Sequence, residues 1–366
     1  MMEWTEEQKK FVRQVLGRIG QKTSPQHMSF LLKRHLKLDV TQDEVSILMK
    51  ELQEAPPQAS FTPIPKDVKH QDLKSSCANI INEAKQILQR DGLHKVAVKH
   101  TLNGLSALLC LSDLHFGEVI KVNDRVIFDL DEANARLSSI VDQFIAAPEL
   151  DGYDVNECVV LLAGDIIDGE LIYPGQSFDT QGHAFDQIKE ATIPIWNTLV
   201  RLAEEFPVVR VYCVPGNHGR TTKLHHQMTN WDNALYFGLQ LLANMAESNI
   251  EVHTPLQMWT DFKVRGWNVH SRHIGVVQAS TAGPARRIMT WLDGHNADLL
   301  FYGHFHCPEM FSNGTRRIFK NGALPPINDF AENLGFPDGT GQWMVGISDK
   351  ESVAFSKILM PVTEVD

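Results

Sequence analysis

A chain of 366 residues, 43% hydrophobic and 22% charged, has the composition of an ordinary globular protein, long enough for a large core and more than one domain. Its formal net charge of −11 argues against a surface that is basic throughout, as a general nucleic-acid coat would be. No apolar run reaches bilayer length and Met1-Met2-Glu3-Trp4 does not open like a signal peptide, so no membrane association is expected. The five cysteines (Cys77, Cys110, Cys158, Cys213, Cys307) are scattered and never spaced Cys-x-x-Cys. Three lie in apolar, strand-like runs, which predicts buried thiols in a reducing compartment and a cytoplasmic location.

In chain order, residues 1–54 read as a small all-α module. Thr5-Glu6-Glu7-Gln8 has the form of a capping box before Phe11, Val12, Val15 and Leu16, and Gly17 and Gly20 close that helix. Ser24-Pro25 opens a second helix, and Thr41-Gln42-Asp43-Glu44 is another capping box, leading into Val45, Leu48, Met49 and Leu52. The spacing resembles a helix-turn-helix module. Between Gln8 and Leu38 stand eight basic residues (Lys9, Lys10, Arg13, Arg18, Lys22, Lys33, Arg34, Lys37) and no Asp or Glu, a weak pointer to a nucleic-acid-facing end. Residues 55–70, with Pro56-Pro57, Pro63 and Pro65, read as a linker, and residues 71–366 as a second domain. There a helix is expected over 73–90, then strands at 94–100 and 106–111. Further apolar runs at 159–163, 208–214, 262–269 and 298–302 alternate with helices at 185–205, 234–247 and 286–292. Such alternation indicates an α/β domain with a largely buried sheet.

Five short motifs carry the chemistry: Asp113-Leu114-His115, Gly164-Asp165-Ile166-Ile167-Asp168, Gly216-Asn217-His218, His270, and Gly303-His304-Phe305-His306. Each falls at or just after an apolar run, where a loop leaves a buried strand. Functional sites of open α/β sheets gather outside the carboxyl ends of their strands. Singly, Asp-x-His is most often a solvated loop pair and Gly-Asn-His a turn. Four such strand-end clusters drawn from Asp, His and Asn have a joint explanation, a ligand set for Mn, Fe or Zn.

The ordered set Asp-x-His, Gly-Asp-x-x-Asp, Gly-Asn-His, His, Gly-His-x-His resembles the calcineurin-like metallophosphoesterase superfamily over about residues 104–320. The resemblance implies a four-layer α/β/α sandwich of two mixed β-sheets, with the motifs in loops at one edge. It implies two divalent cations, Mn foremost with Fe, Zn or Ni as alternatives. Asp113, His115 and His306 would hold one, Asn217, His270 and His304 the other, and Asp165 would bridge them. It further implies in-line phosphoryl displacement, with His218 as general acid and Asp168 orienting His218.

The phosphoprotein phosphatase branch continues these motifs with Arg-Gly and with Glu, whereas here Gly169-Glu170 and Gly219-Arg220 follow. This moves the reading toward phosphodiesters. The lone histidine stands in Val269-His270-Ser271-Arg272-His273, so His273 is an alternative ligand, a substrate contact or a loop residue. Arg220 is either a phosphate contact or a solvated arginine. His183, His225-His226, Arg272, Arg286-Arg287, Trp231 and Trp267 are weaker substrate candidates, for which surface or packing roles are the commoner outcome. Two substrate classes compete. DNA as substrate, making the chain a nuclease, is favoured by the basic 8–38 segment, although the third helix, with Asp43, Glu44 and Glu51, is acidic for a recognition helix. A cyclic or other small nucleotide is favoured by the overall acidity, with residues 1–54 then a docking or oligomerisation module. A regulatory scaffold would lack a ligand, and none is missing.

Overall fold

The computed structural model describes residues 40–54, 104–123, 125–170, 172–173, 176, 179–221, 228–246, 248–273, 283–327 and 339–362, with isolated residues between 4 and 33. For 51–54, 150 and 283–287 it describes the backbone alone. The chain divides into two compact units, Met1–Arg90 with Tyr173–Phe178 and Asp91–Ile172 with Asp179–Asp366.

In the first unit α1 spans Gln42–Glu54. Thr41 and Glu44 close the reciprocal cap expected at its start. The Thr41 hydroxyl accepts from the Glu44 N–H at 3.3 Å, and the Glu44 carboxylate accepts from the Thr41 N–H at 3.1 Å. Val45, Leu48 and Met49 are buried, as are Val12, Met28 and Leu32. The helix-turn-helix arrangement as a whole, the 55–70 linker, the 73–90 helix and the 94–100 strand lie outside the described residues.

The second unit is built on two mixed sheets. In the first, β1 (Leu105–Leu111), β4 (Val155–Leu162), β5 (Val209–Cys213) and β6 (Ile250–His253) run parallel. β12 (Gln342–Ile347) adds antiparallel to β1, and β13 (Phe355–Leu359) to β12, for an order β13-β12-β1-β4-β5-β6. In the second, β8 (Trp267–His273), β9 (Leu299–Gly303) and β11 (Arg316–Lys320) are parallel. The flanking strands β7 (Trp259–Val264) and β10 (Glu309–Asn313) are antiparallel. β2 (Ile120–Val122) and β3 (Arg125–Phe128) form a separate hairpin. The runs Leu108–Leu111 and Val159–Leu162 are fully buried, as strands covered on both faces must be.

The main core lies between the sheets: Leu108, Cys110, Val159 and Leu161 from one meet Phe262, Val269, Leu299, Phe301 and Phe319 from the other. Helices α2 (Leu130–Leu150), α3 (Ala184–Glu205) and α4 (Trp231–Met245) accompany the first sheet, α3 lying against β5 and α4 against β6. Outside the second sheet, α5 (Gly283–Gly294) sets Ile288 and Leu292 on Leu300, Tyr302 and Ile318. The fold is therefore the expected four layers, α, β, β, α. Cys110, Cys158 and Cys213 are buried free thiols, and Cys307 is free and half-buried. Among the described residues no helix is long and apolar enough to cross a membrane.

Where one strand is expected at 262–269, the chain makes a hairpin. Arg265 and Gly266, at φ of 48° and 87°, turn β7 into β8. Positive φ at both central residues is the signature of the two-residue turn whose twist matches a hairpin.

Phe301 and Phe319 are register partners on β9 and β11, fully buried, with rings stacked at 4.8 Å. Phe301→Ala is expected to lower unfolding free energy by about 3–5 kcal/mol in a denaturant titration, because the void between two sheets cannot collapse.

Candidate metal centre

Strands β1, β4 and β5 of one sheet and β8 and β9 of the other deliver their carboxyl ends to one place. Asp113 follows β1, Asp165 follows β4, Asn217 and His218 follow β5, His273 ends β8, and His304 and His306 follow β9. To turn so soon after a buried strand, the backbone enters unusual territory. Of eight described non-glycine residues with positive φ, five are Asp113, His115, Asp165, His304 and His306. Such conformations cost about 1–3 kcal/mol each and persist where the surroundings over-determine them. At the crossing of the β4 and β5 loops, a Cβ on Gly216 would stand 2.1 Å from the Asp165 nitrogen, so only glycine lets these loops meet.

The side chains converge as four overlapping donor groups: Asp113, His115 and His306; His115, Asp165 and His218; Asp165, His273 and His304; and His115, Glu118 and Asp168. Within each, one donor atom per residue lies within 4.8 Å of the others. The Nε2 atoms of His115 and His306 are 3.1 Å apart. His273 Nε2 stands 2.9 Å from Asp165 Oδ2, yet neither atom makes an aligned hydrogen bond, as expected of donors turned toward a shared third point. Carboxylates and imidazoles placed in this way fit divalent cations of the Mn, Fe and Zn type.

The surrounding bonds hold each donor in place. Asp113 accepts from the Ser112 hydroxyl at 2.5 Å and the His304 N–H at 2.9 Å. Asp165 Oδ1 accepts from the His218 N–H at 2.7 Å. One oxygen of Asp168 serves two rings, lying 2.9 Å from His218 Nδ1 and 3.1 Å from His115 Nδ1. Arg220 is tied into its own loop, its Nε donating to the Asn217 carbonyl at 3.0 Å.

Buried charge sets the electrostatics. Burial would raise the Asp113 carboxyl, but His273 and His306 beside it prevail and hold it at about 2. For His218 and His273 burial favours the neutral ring. The negative charge of Asp165 and its neighbours outweighs it, raising His218 to about 10 and His273 to about 9. His304, disfavoured as a cation by burial and by His273, falls to about 4 and stays neutral.

His270 does not join this cluster, which corrects the sequence-based choice between it and His273. The expectation ended the strand at His270, but β8 runs on through His273. Side chains three apart on a strand point to opposite faces. His273 shares the inner face with Val269 and reaches Asp165, whereas His270 turns outward to Asp261, 2.7 Å away. Of the weaker candidates, His183 is exposed beside Glu170, and Trp267 packs on the core and donates to the Ser348 carbonyl. The Arg272 guanidinium lies 4.0 Å over the Trp291 ring. His225, His226 and the side chains of Arg286 and Arg287 lie outside the described residues.

Sequence reasoning missed Asp232. At the first turn of α4, fully buried, its carboxylate accepts from the backbone N–H groups of Gly216 at 2.9 Å, Asp165 at 3.1 Å and Ile167 at 3.4 Å. Burial and the charge of Asp165 raise it to about 6 against those donors. It stitches the β4 and β5 loops together. Its only sequence signal is Asn230, an N-cap that dates the helix start two residues earlier.

The sequence model of the calcineurin-like phosphoesterase family matches residues 107–308, more than half of the chain. The chain belongs to the calcineurin-like phosphoesterase family, whose members are metal-dependent phosphoesterases. Among solved structures, it is similar to zinc-complexed Vps29 from Entamoeba histolytica (10% identity, 69% of this chain, 96% of that one, TM-score 0.31). A hypothetical protein from Pyrococcus horikoshii matches at 10% identity over 71% and 90% of the two chains, with a TM-score of 0.38. An archaeal phosphodiesterase matches at 11% identity over 69% and 99%, with a TM-score of 0.34. No curated protein sequence matches the chain.

Two outcomes test the geometry. Removing His273 as His273→Ala is expected to cut metal-dependent phosphoester hydrolysis by more than ~100-fold, while His270→Ala stays within a few-fold of wild type in the same steady-state assay. Asp232→Asn, which exchanges an acceptor oxygen for a donor facing backbone N–H groups, is expected to lower kcat/KM by about 10–100-fold. A calorimetric scan should show the Asp232→Asn protein still folded.

Proposed function

We propose that the chain hydrolyses phosphodiester bonds at a centre of two divalent cations, Mn foremost, with DNA as substrate. The observation that carries this is the convergence of Asp113, His115, Asp165, His273, His304 and His306 at the carboxyl ends of strands from both sheets, with His218 braced on Asp168. In this reading Asp113, His115 and His306 would hold one cation and Asn217, His273 and His304 the other, with Asp165 available to both. When bound, the two cations supply Lewis-acid compensation of phosphoryl charge and a water of lowered pKa.

The chain's own residues then divide the rest of the reaction. Asp168 fixes the His218 ring through Nδ1, so that Nε2 is the nitrogen that would face a substrate. His218, braced on Asp168, gives its proton to the departing alkoxide. Asp232 keeps the Asp165 and Asn217 loops at fixed separation. Residues 1–54 bring the chain to the phosphate backbone through the basic residues between 8 and 38, and residues 71–366 cut. Gly169-Glu170 and Gly219-Arg220, in place of the phosphoprotein phosphatase continuations, favour diesters over phosphoproteins. The net charge of −11 favours a second reading, a small nucleotide as substrate.

With Mn added, hydrolysis of single- or double-stranded DNA and of a bis-aryl phosphodiester is expected. Turnover of an aryl monoester alone would sink the diesterase reading, and turnover of small cyclic nucleotides without DNA would select the second. His218→Asn is expected to lose about 10²–10⁴-fold on DNA and less on an aryl diester, whose leaving group departs without a proton.

A further inference from the structure

We propose that Asp261, His270 and His295 form a separate zinc-type cation site on the outer face of the second sheet. Three elements supply the donors. Asp261 on β7 and His270 on β8 are direct cross-strand partners, and His295 follows the end of α5. The two Asp261 oxygens reach one imidazole each, His270 Nδ1 at 2.7 Å and His295 Nδ1 at 2.9 Å. The rings stack on one another with centroids 3.9 Å apart and planes at 28°, so both present a nitrogen to the same carboxylate from the same side. One donor atom from each of the three residues lies within 4.8 Å of the others.

Two imidazole nitrogens and one carboxylate oxygen form a donor set that zinc accepts as three of four ligands, the fourth being water. Burial is graded to match. His270 is sealed in, whereas the His295 and Asp261 side chains are 23% and 48% exposed, leaving an entrance from solvent. The alternative is a purely hydrogen-bonded trio, in which each Nδ1–H donates to Asp261. An ion replacing those two protons needs the other tautomer of both rings. At His270 the change breaks no other bond, because Nε2 is buried and meets no hydrogen-bond partner; the buried N–H it creates carries a desolvation cost, which the ion's bond to Nδ1 must outweigh. Arg272, on the same face, lies over Trp291 and Trp259 at 4.0 and 5.5 Å. The site lies across β8 from His273 and does not rest on the phosphodiesterase reading. An ion there would clamp the β7–β8 hairpin to the end of α5.

The test uses the full-length protein, stripped with chelator, loaded with Zn²⁺, desalted and assayed for metal per chain by mass spectrometry. His295→Ala and Asp261→Asn, both at partly exposed positions, are expected each to hold one equivalent less than wild type. Hydrolysis of the bis-aryl diester with Mn should be unchanged in both. Co²⁺ loaded in place of Zn²⁺ is expected to lose part of its visible d–d absorption in the same two variants. Equal metal content and identical Co²⁺ spectra in wild type and both variants would overturn the proposal.

Discussion

Four carboxylates, Asp113, Asp165, Asp168 and Asp232, are buried to 5% exposure or less around one point, and the rest of the centre follows from that. An unpaired buried carboxylate carries a desolvation penalty of several kcal/mol even after relaxation, so each must find hydrogen bonds or positive charge. The chain answers in two ways. Backbone N–H groups bond Asp113, Asp165 and Asp232, and imidazoles stand against Asp113, Asp165 and Asp168. The charge balance is met by raising the affinity of His218 and His273 for protons. A dication bound between the same groups would take over that compensation, which is why this arrangement suits the cations on which the family depends.

The ligand-bearing loops turn within a residue or two of their strands, and Asp113, His115, Asp165, His304 and His306 make those turns in the left-handed region. Five such residues in one site represent several kcal/mol of strain, which two well-packed sheets sustain. The strands that carry the ligands are among the most buried in the protein, with Leu108–Leu111 and Val159–Leu162 inaccessible. Ligands held at the ends of such strands are positioned more sharply than ligands on long loops. Asp232 adds a brace from outside the sheet, coupling the start of α4 to two of those ends.

Much of this was legible in the sequence because the physics is local. An apolar run that gives way within a residue or two to Asp-x-His, Gly-Asp, Gly-Asn-His or Gly-His-x-His reads as a strand meeting a functional edge, and the strand ends at Asp113, Asp165, Asn217 and His304 take those four forms in turn. α2 escaped notice although Asp129 caps it and Leu137, Ile140, Val141 and Phe144 line its buried face. There the apolar stripe is interleaved with charges and precedes no motif. β10 and β11 read poorly because Glu309–Asn313 is largely exposed and Arg316-Arg317 opens the next strand with charge. Asp232 was invisible for another reason. Its partners are backbone groups of residues 16, 65 and 67 positions away, and no side-chain pattern records a backbone N–H.

The two histidines of β8 show how a small local element decides a distant one. Side chains on a strand alternate between faces, so Val269 and His273 share the inner face while His270 and Arg272 share the outer. Which pair faces inward depends on the register between β7 and β8, and a slip of one residue would exchange them. That register is set by the tight turn at Arg265-Gly266, where Val264 pairs with Trp267 and every later pair follows, Asp261 with His270 included. The same turn therefore settles both that His273 meets Asp165 and that His270 meets Asp261. Phase along the strand could not be read from the motif itself, because Val-His-Ser-Arg-His offers a histidine to either face. It is set at Arg265-Gly266, where positive φ at both residues makes the two-residue turn that pairs Val264 with Trp267.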